Sequence, residues 1–278
     1  MTSLKNKTFF ISGGSRGIGK AIALKLASEG AQIVIAAKSV TENPKLGGTI
    51  YSAAEEIEAA GGKALAVPCD IRDDKMVEDV VNSAIDKFGG IDGVINNASA
   101  ISLTPTNLTE MKRYDLMMDI NVRGAFLVVK NCLPYLKLSE NPHIVNLSPP
   151  LNWNEKWLKD HIAYTISKYN MTMLAMGWAA EFKSLGIAAN SLWPVTTIAT
   201  AAVQNLLGGE ALMQKSRKPE IMADAVYAIL SQDSKKFTGN QLLDEKVLPL
   251  NGITNFESYA VNPEKTLQKD LFLDDFEI

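Results

Sequence analysis

The stretch from Thr8 to Ala27, TFFISGGSRGIGKAIALKLA, is the part of the chain that most restricts the fold. Its apolar run from Phe9 to Ile11 is typical of a strand that is covered on both faces of a sheet. Three glycines follow at once, and behind them apolar residues recur at helical spacing: Ile18, Ile22, Ala23 and Leu26. The stretch therefore predicts a buried strand, a glycine turn and a helix in direct succession.

This succession is suited to holding a phosphate group. Glycine has no Cβ, so the backbone can approach a ligand closely, and a helix N-terminus offers unpaired N–H groups and a positive dipole end. An ordinary glycine-containing turn is the alternative interpretation, but the strand before it and the helix after it favour the phosphate site. The predicted cofactor-binding residues of this loop are Gly13, Gly14, Ser15, Arg16, Gly17, Ile18 and Gly19.

Apolar runs and helical patterns alternate along the rest of the chain, as crossover helices between parallel strands require. We predict an α/β fold: a single doubly wound parallel sheet, Rossmann-like, with helices on both faces and one domain over residues 1–278. Long helices are expected over about 109–133 and 161–185, and residues 249–278 form a C-terminal extension of uncertain structure. The later strands are predicted at Gln32–Ala37, Ala64–Cys69, Val94–Ala98, Ile144–Leu147, Ile187–Trp193 and Gln241–Leu243.

The composition argues against several classes of protein. The formal net charge is −3 and the sequence pI is about 5.6, so no basic field attracts nucleic acid. We find no apolar run of about 18 residues and no charged-then-apolar leader, so we expect no membrane span and a cytoplasmic location. The two histidines and two cysteines form no cluster, so no metal site is expected.

Two motifs carry a family resemblance. The glycines are spaced Gly-x-x-x-Gly-x-Gly directly after Ser12, and Tyr164 and Lys168 lie four residues apart in the helical stretch YTISKYNM. Both motifs resemble those of the short-chain dehydrogenase/reductase family, and the resemblance covers nearly the whole chain. It implies that Tyr164 is the acid in carbonyl reduction and the base in alcohol oxidation. It further implies that Lys168 holds the nicotinamide ribose and that Asn121 positions a water for a proton relay.

The spacing of Tyr164 and Lys168 has a physical meaning of its own. Residues four apart on a helix share one face, one turn apart. A phenol titrates near pH 10, but a neighbouring ammonium group and an oxidised nicotinamide favour the phenolate, so we expect the pKa of Tyr164 to fall. A partly buried tyrosine beside an exposed lysine is the ordinary alternative. For Asn121 the alternative is a helix-interior asparagine that bonds to backbone.

The end of the second strand predicts the cofactor. A free 2′-hydroxyl is usually held by an acidic residue there, whereas a 2′-phosphate needs positive charge. This strand ends in Lys38 without an acid, and Arg16 lies in the glycine loop, so NADP(H) is favoured over NAD(H). Solvated surface charges are the alternative interpretation. By the resemblance, Asp70 contacts the adenine and Asn97 lines the adenosine ribose.

The chain departs from the family after the fifth strand. The family places a substrate-polarising serine there, and this sequence reads Ser148–Pro149–Pro150, with Pro149 at the expected position. Proline has no donor. Two interpretations stay open: Ser148 reaches the substrate through an altered loop, which is the preferred one, or Tyr164 is the sole donor.

Together these features predict an NADP(H)-dependent oxidoreductase that acts on an apolar, lipid-like carbonyl or alcohol. The motifs NNASAISL, NLSPPLN, AYTISKY and FTGNQLLDE resemble one subgroup of the family, which is linked to lipid metabolism. The substrate pocket is expected between residues 151–160, with Trp153 and Trp157, and residues 196–207, although the tryptophans could equally close the surface. Alternatives are a carbon–carbon double-bond reductase of acyl-CoA-like substrates and a cofactor-binding protein with little turnover. Family relatives imply a homodimer or homotetramer.

Overall fold

A computed structural model describes residues 2–274 and contains one sheet of seven parallel strands in the order β3-β2-β1-β4-β5-β6-β7. The order reverses between β1 and β4, and ligands of such sheets bind at the carboxyl ends of the strands beside that reversal. The strands are β1 Thr8–Ser12, β2 Gln32–Ala37, β3 Lys63–Pro68, β4 Gly93–Asn96, β5 His143–Leu147, β6 Ala188–Trp193 and β7 Gln241–Leu243.

Helices cover both faces of this sheet, which confirms the predicted doubly wound fold. The core against one face includes Ile22 and Val226, and the core against the other includes Val80 and Val128. The helices are α1 Gly17–Ser28, α2 Ile50–Ala59, α3 Asp74–Phe88, α4 Met111–Met117, α5 Ala125–Leu136, α6 Ile162–Glu181, α7 Gly209–Met213, α8 Glu220–Leu230 and α9 Asp244–Val247. None of the helices within residues 2–274 is long and apolar enough to cross a membrane.

The strand β1 illustrates why these residues form the centre of the sheet. All five of its residues are buried. Phe9 and Ile11 point into one core and Phe10 into the other, because successive side chains of a strand alternate between faces. A strand that is buried on both faces therefore needs the continuous apolar run that the sequence shows.

Several predicted bounds differ from the structure, and two of the differences have identifiable reasons. The strand β4 ends at Asn96 rather than Ala98, because the backbone N–H groups of Asn97 and Ala98 donate to the Ser12 hydroxyl, each at 3.1 Å. The long helix predicted over 109–133 is interrupted by a π-helical segment, Met118–Gly124, between α4 and α5. Such segments often mark functional sites, and Asn121 lies in this one.

The C-terminal extension, which the sequence left without a structure, packs on the sheet end as far as residue 274; its last four residues lie outside the described part of the chain. The backbone of Thr197 donates to Gln268 at 2.9 Å, and that of Asp270 donates to Val195 at 3.1 Å. Phe272 is fully buried although its φ is +70°, a region that is costly for a bulky residue. The packing of its ring has to offset that cost.

We predict that Phe272→Ala destabilises the protein, because the ring contacts Trp157, Tyr164, Tyr169 and Trp193 in one aromatic cluster. Loss of a fully buried phenylalanine lowers the free energy of unfolding by about 3–5 kcal/mol, measurable by urea denaturation. Leu250→Ala is the control, since this side chain is exposed. Equal effects of the two variants would contradict a structural role of the tail.

Candidate active site

The loop between β1 and α1 is shaped by its glycines. Gly13 and Gly17 have φ values of +72° and +54°, which residues with a Cβ rarely adopt. A Cβ on Gly19 would lie 2.4 Å from the carbonyl oxygen of Gly13, so only glycine lets the helix start this close to the strand. The loop and the first turn of α1 thus form the concave backbone surface that a pyrophosphate requires.

A cleft of about 390 Å³ opens beside this loop. Most of the predicted cofactor residues line it: Gly13, Ser15, Arg16, Gly17, Ile18, Lys38, Asp70 and Asn97. Gly14 and Gly19 are not among the lining residues. Gly14 faces Ile35, and Gly19 contacts Gly13 and Asn97. These two glycines therefore shape the loop from behind.

Asn97 fixes the loop to the sheet. Its side-chain amide donates to the carbonyl oxygens of Ser12 at 2.9 Å and Gly13 at 3.0 Å. It lines the cleft as well, so the predicted contact with an adenosine ribose stays compatible with this position. The structure adds a second role, which is to hold β1 and β4 together at the point where the strand order reverses.

The charges at the end of β2 form a network. Arg16 donates to the hydroxyl of Ser39, and Lys38 lies 3.5 Å from a carboxylate oxygen of Asp70. Arg72 contacts the same carboxylate at 2.6 Å, and its hydrogen bonds hold the pKa of Asp70 well below its usual range. Asp70 is thus ionised at neutral pH, and the cleft combines two cations with one carboxylate that is already paired.

Tyr164 and Lys168 lie on α6 and line a second, smaller cavity of about 200 Å³. Both are buried, and burial raises the pKa of Tyr164 instead of lowering it as the sequence predicts. Burial also lowers the pKa of Lys168 to about 7. The predicted fall in the pKa of Tyr164 is wrong for the protein without bound cofactor, because desolvation of the phenolate outweighs the effect of a neighbouring cation.

The Lys168 ammonium group is held in place by contacts with two neighbouring strands and, at 3.6 Å, with the Met171 sulfur on its own helix. It donates to the carbonyl oxygen of Leu147 at the end of β5, at 2.5 Å, and lies 5.1 Å from the ring centre of Trp193 at the end of β6. Its position is therefore fixed by the two strands beneath it. This arrangement leaves the ammonium group at the boundary of the cavity that Tyr164 also lines.

Asn121 lies behind the site. Its side-chain oxygen accepts from the backbone of Ala100 at 2.8 Å, and its amide donates to the Ala100 carbonyl at 3.0 Å and to Ser167 at 2.9 Å. These bonds join the loop after β4 to α6. The water relay to Lys168 stays a prediction, while the anchoring of Ala100 is the observed role of the Asn121 side chain.

Ser148 is fully buried, and its hydroxyl accepts from Thr172 at 2.8 Å. Neither Ser148 nor Pro149 is among the residues that line the two cavities. Contact between the Ser148 hydroxyl and substrate stays a prediction, but this geometry favours the other interpretation, in which Ser148 packs behind the site.

Two further segments contribute to the walls of the second cavity. Thr200, Val203 and Leu207 belong to the predicted stretch 196–207. The tryptophans are not among the lining residues: Trp153 is exposed, and Trp157 packs against Phe272. The geometry therefore favours the interpretation in which the two tryptophans close the surface of the fold.

The other wall is the tail segment with Asp270 and Leu271, which the sequence did not identify. The sequence offers one weak indication of this wall, an aspartate beside the apolar run Leu271–Leu273. No helical or strand periodicity accompanies it, so the position of the segment in the fold could not be predicted.

Comparison with known proteins agrees with the geometry of the glycine loop and of the Tyr164–Lys168 cavity. A family model described as short chain dehydrogenase matches residues 7–210. The chain therefore belongs to the short-chain dehydrogenase family, a family of oxidoreductases. It is similar to hydroxysteroid dehydrogenase-like protein 2 of Danio rerio, with 57% identity over 267 residues; the match covers 96% of this chain and 64% of that protein.

Two solved structures extend the comparison. A putative dehydrogenase from Xanthomonas campestris is 49% identical with a TM-score of 0.95, and the match covers 99% of this chain and 100% of the other. A metagenomic short-chain oxidoreductase in complex with NADP is 25% identical with a TM-score of 0.71, covering 87% and 98% of the two chains. The comparisons therefore establish the fold and the family.

We predict that Gly19→Ala weakens NADPH binding by at least about tenfold, because the added methyl group displaces the Gly13 carbonyl and deforms the loop. The measurement is a fluorescence titration with NADPH. Gly90→Ala is the matched control, since a Cβ there meets nothing within 4 Å. Unchanged affinity of the Gly19 variant would show that the cofactor does not contact this loop.

Proposed function

We propose that this protein is an NADP(H)-dependent oxidoreductase that transfers a hydride between the nicotinamide and an apolar, lipid-like carbonyl or alcohol. One observation carries the proposal. The cleft beside the glycine loop and the cavity of Tyr164 and Lys168 share a boundary formed by the same residues: Ile18, Asn97, Ser99, Thr200 and Ala202. A dinucleotide in the cleft would therefore present its nicotinamide end to the tyrosine.

The residues at hand fit such a cofactor. The glycine loop and the N-terminus of α1 would hold the pyrophosphate, and Arg16 and Lys38 would hold a 2′-phosphate. The Asp70 carboxylate already accepts a hydrogen bond from Arg72, so it is poorly available to accept one from a ribose 2′-hydroxyl. When bound, the cofactor supplies the hydride. The metagenomic relative in complex with NADP supports a nicotinamide dinucleotide as the cofactor.

Side chains of the protein would transfer the proton to or from the substrate oxygen. Tyr164 would give its phenolic proton to the substrate oxygen during reduction and take one during oxidation. Its raised pKa keeps the phenol protonated at neutral pH, which suits the reductive direction. Lys168, held by Leu147, would add positive charge beside the phenol and contact the nicotinamide ribose.

The cavity favours an apolar substrate. Its lining is dominated by aliphatic and aromatic side chains: Ile101, Leu147, Trp193, Ile198, Val203, Leu207, Met222 and Leu271. Burial of such surface stabilises a lipid-like chain by about 25 cal/mol per Å². The chain spans about 64% of the length of the curated relative described above.

We further propose that the protein is a homodimer or homotetramer. Phe126 on α5 and Met173 and Met176 on α6 are exposed apolar residues. Phe126 and Met173 line one shallow depression between the two helices. Contact with a second copy of the chain would remove this apolar surface from water.

The cofactor preference provides a first test. We predict that the wild-type protein binds NADPH at least about tenfold more tightly than NADH, and that Lys38→Asp removes or reverses this preference because a carboxylate repels the 2′-phosphate. Lys183→Asp, an exposed change outside the cleft, is the control. Equal affinities of the wild-type protein for the two nucleotides would contradict the assignment.

The role of Tyr164 provides a second test. Tyr164→Phe should lower the turnover of decanal with NADPH by about a thousandfold or more, with NADPH affinity nearly unchanged, because only the proton donor is removed. Tyr169→Phe removes a phenol on the same helix that instead donates to Asn152, and it should retain turnover. If the wild-type protein binds NADPH but reduces no carbonyl of a broad panel, the cofactor-binding alternative with little turnover replaces this proposal.

A further inference from the structure

Asp270 is the unassigned polar group of the second cavity. It lies in that cavity with Tyr164 and Lys168, although it belongs to the C-terminal segment. Its backbone is fixed by donation to Val195 at 3.1 Å, and the next carbonyl, that of Leu271, accepts from the Trp193 indole at 3.0 Å. The backbone beside this carboxyl group is thus fixed at a mostly apolar pocket, and the proposed reaction does not use the carboxyl group.

The second donor to the substrate oxygen that the family places after β5 is not found at that position here. Pro149 has none to give, and the Ser148 hydroxyl is buried against Thr172. Carbonyl reduction builds negative charge on oxygen in its transition state, and a second donor aimed at that oxygen typically contributes about a hundredfold to a thousandfold in rate. Asp270 can fill this role only if it carries a proton.

Burial, more than the surrounding charges, favours a proton on Asp270, and it outweighs the Lys168 ammonium group, which by itself lowers the pKa of Asp270. The groups that face it are Lys168 and Tyr164 on α6 and Asp244 at the start of α9. Burial raises the pKa of Asp244 to about 6, against the hydrogen bonds that it accepts from the backbone of Val195 at 3.0 Å and of Glu245 at 2.8 Å. Asp244 is therefore mostly ionised at pH 7 and balances Lys168. Asp270 accepts one backbone bond, from Leu271. Burial and Asp244 raise the pKa of Asp270 to about 7.

We propose that Asp270, as a neutral carboxylic acid, donates a hydrogen bond to the carbonyl oxygen of the substrate beside Tyr164. The inference rests on the proposed oxidoreductase function and adds a catalytic residue to it. Tyr164 still transfers the proton, and Asp270 keeps its own. A carboxylic acid kept neutral by an apolar site is known to act with a tyrosine in this way.

The test compares three variants in decanal reduction with NADPH. Asp270→Ala should lower kcat by about a hundredfold or more, and Asp270→Asn, whose amide retains a donor, should stay within about tenfold of wild type. Asp274→Asn is the matched control on the same segment, where the carboxylate pairs with Lys156 outside the cavity, and it should change little. An Asn variant as impaired as the Ala variant, or an unimpaired Ala variant, overturns the proposal.

The pH dependence supplies a readout that a structural role would not move. Above about pH 7 the wild-type donor ionises while the amide does not, so the ratio of the Asn variant's kcat to that of wild type should rise between about pH 6 and pH 9. A constant or falling ratio contradicts the inference.

The protonation state can also be read without turnover. Carbon-13 NMR of aspartate-labelled protein saturated with NADPH should show a carboxyl that titrates above about pH 6 and is absent from Asp270→Asn. A midpoint for Asp270 below about pH 5 overturns the inference whether or not any carbonyl is reduced. Decanal and an aromatic diketone, phenanthrenequinone, serve as carbonyl substrates for the proposed function. If neither is reduced, the proposed function fails, whereas the titration still decides the protonation state of Asp270.

Discussion

The junction between β1 and β4 is the constraint on which the rest of the site depends. The Ser12 hydroxyl accepts hydrogen bonds from two backbone N–H groups of the turn after β4. The Asn97 side-chain amide donates in return to the carbonyl oxygens of Ser12, at the end of β1, and Gly13, in the glycine loop. These reciprocal bonds satisfy buried polar groups at the point where the strand order reverses. The cleft lies beside this junction. The same bonds hold Gly13 in place, with its carbonyl oxygen against Gly19.

Burial around α6 determines the chemistry. Tyr164, Lys168, Asp244 and Asp270 are all withdrawn from water, and each has a pKa moved toward its uncharged form. A shift of one pKa unit corresponds to about 1.4 kcal/mol, so these groups respond strongly to any charge that enters the cavity. An oxidised nicotinamide would bring a positive charge and a reduced one would not. The site is therefore suited to coupling proton position to the state of the cofactor.

The C-terminal segment connects stability with this site. Phe272 packs against Tyr164, while Asp270, two residues earlier, reaches the cavity itself. The unfavourable backbone angle of Phe272 persists because its ring is surrounded by aromatic side chains from three parts of the chain. Docking of the segment thus adds Asp270 and Leu271 to the lining of the cavity and places an aromatic ring against the buried Tyr164.

Short-range patterns in the sequence determined the sheet, the glycine loop, the pairing of Tyr164 with Lys168 and most of the cleft, because strand and helix periods and motif spacings are local properties. The tertiary structure alone decided the place of Asp270 and Phe272, the bond between Ser148 and Thr172, and the direction in which the pKa of Tyr164 moves. Each of these depends on contacts or burial created by distant segments, and desolvation has no signature in a linear pattern.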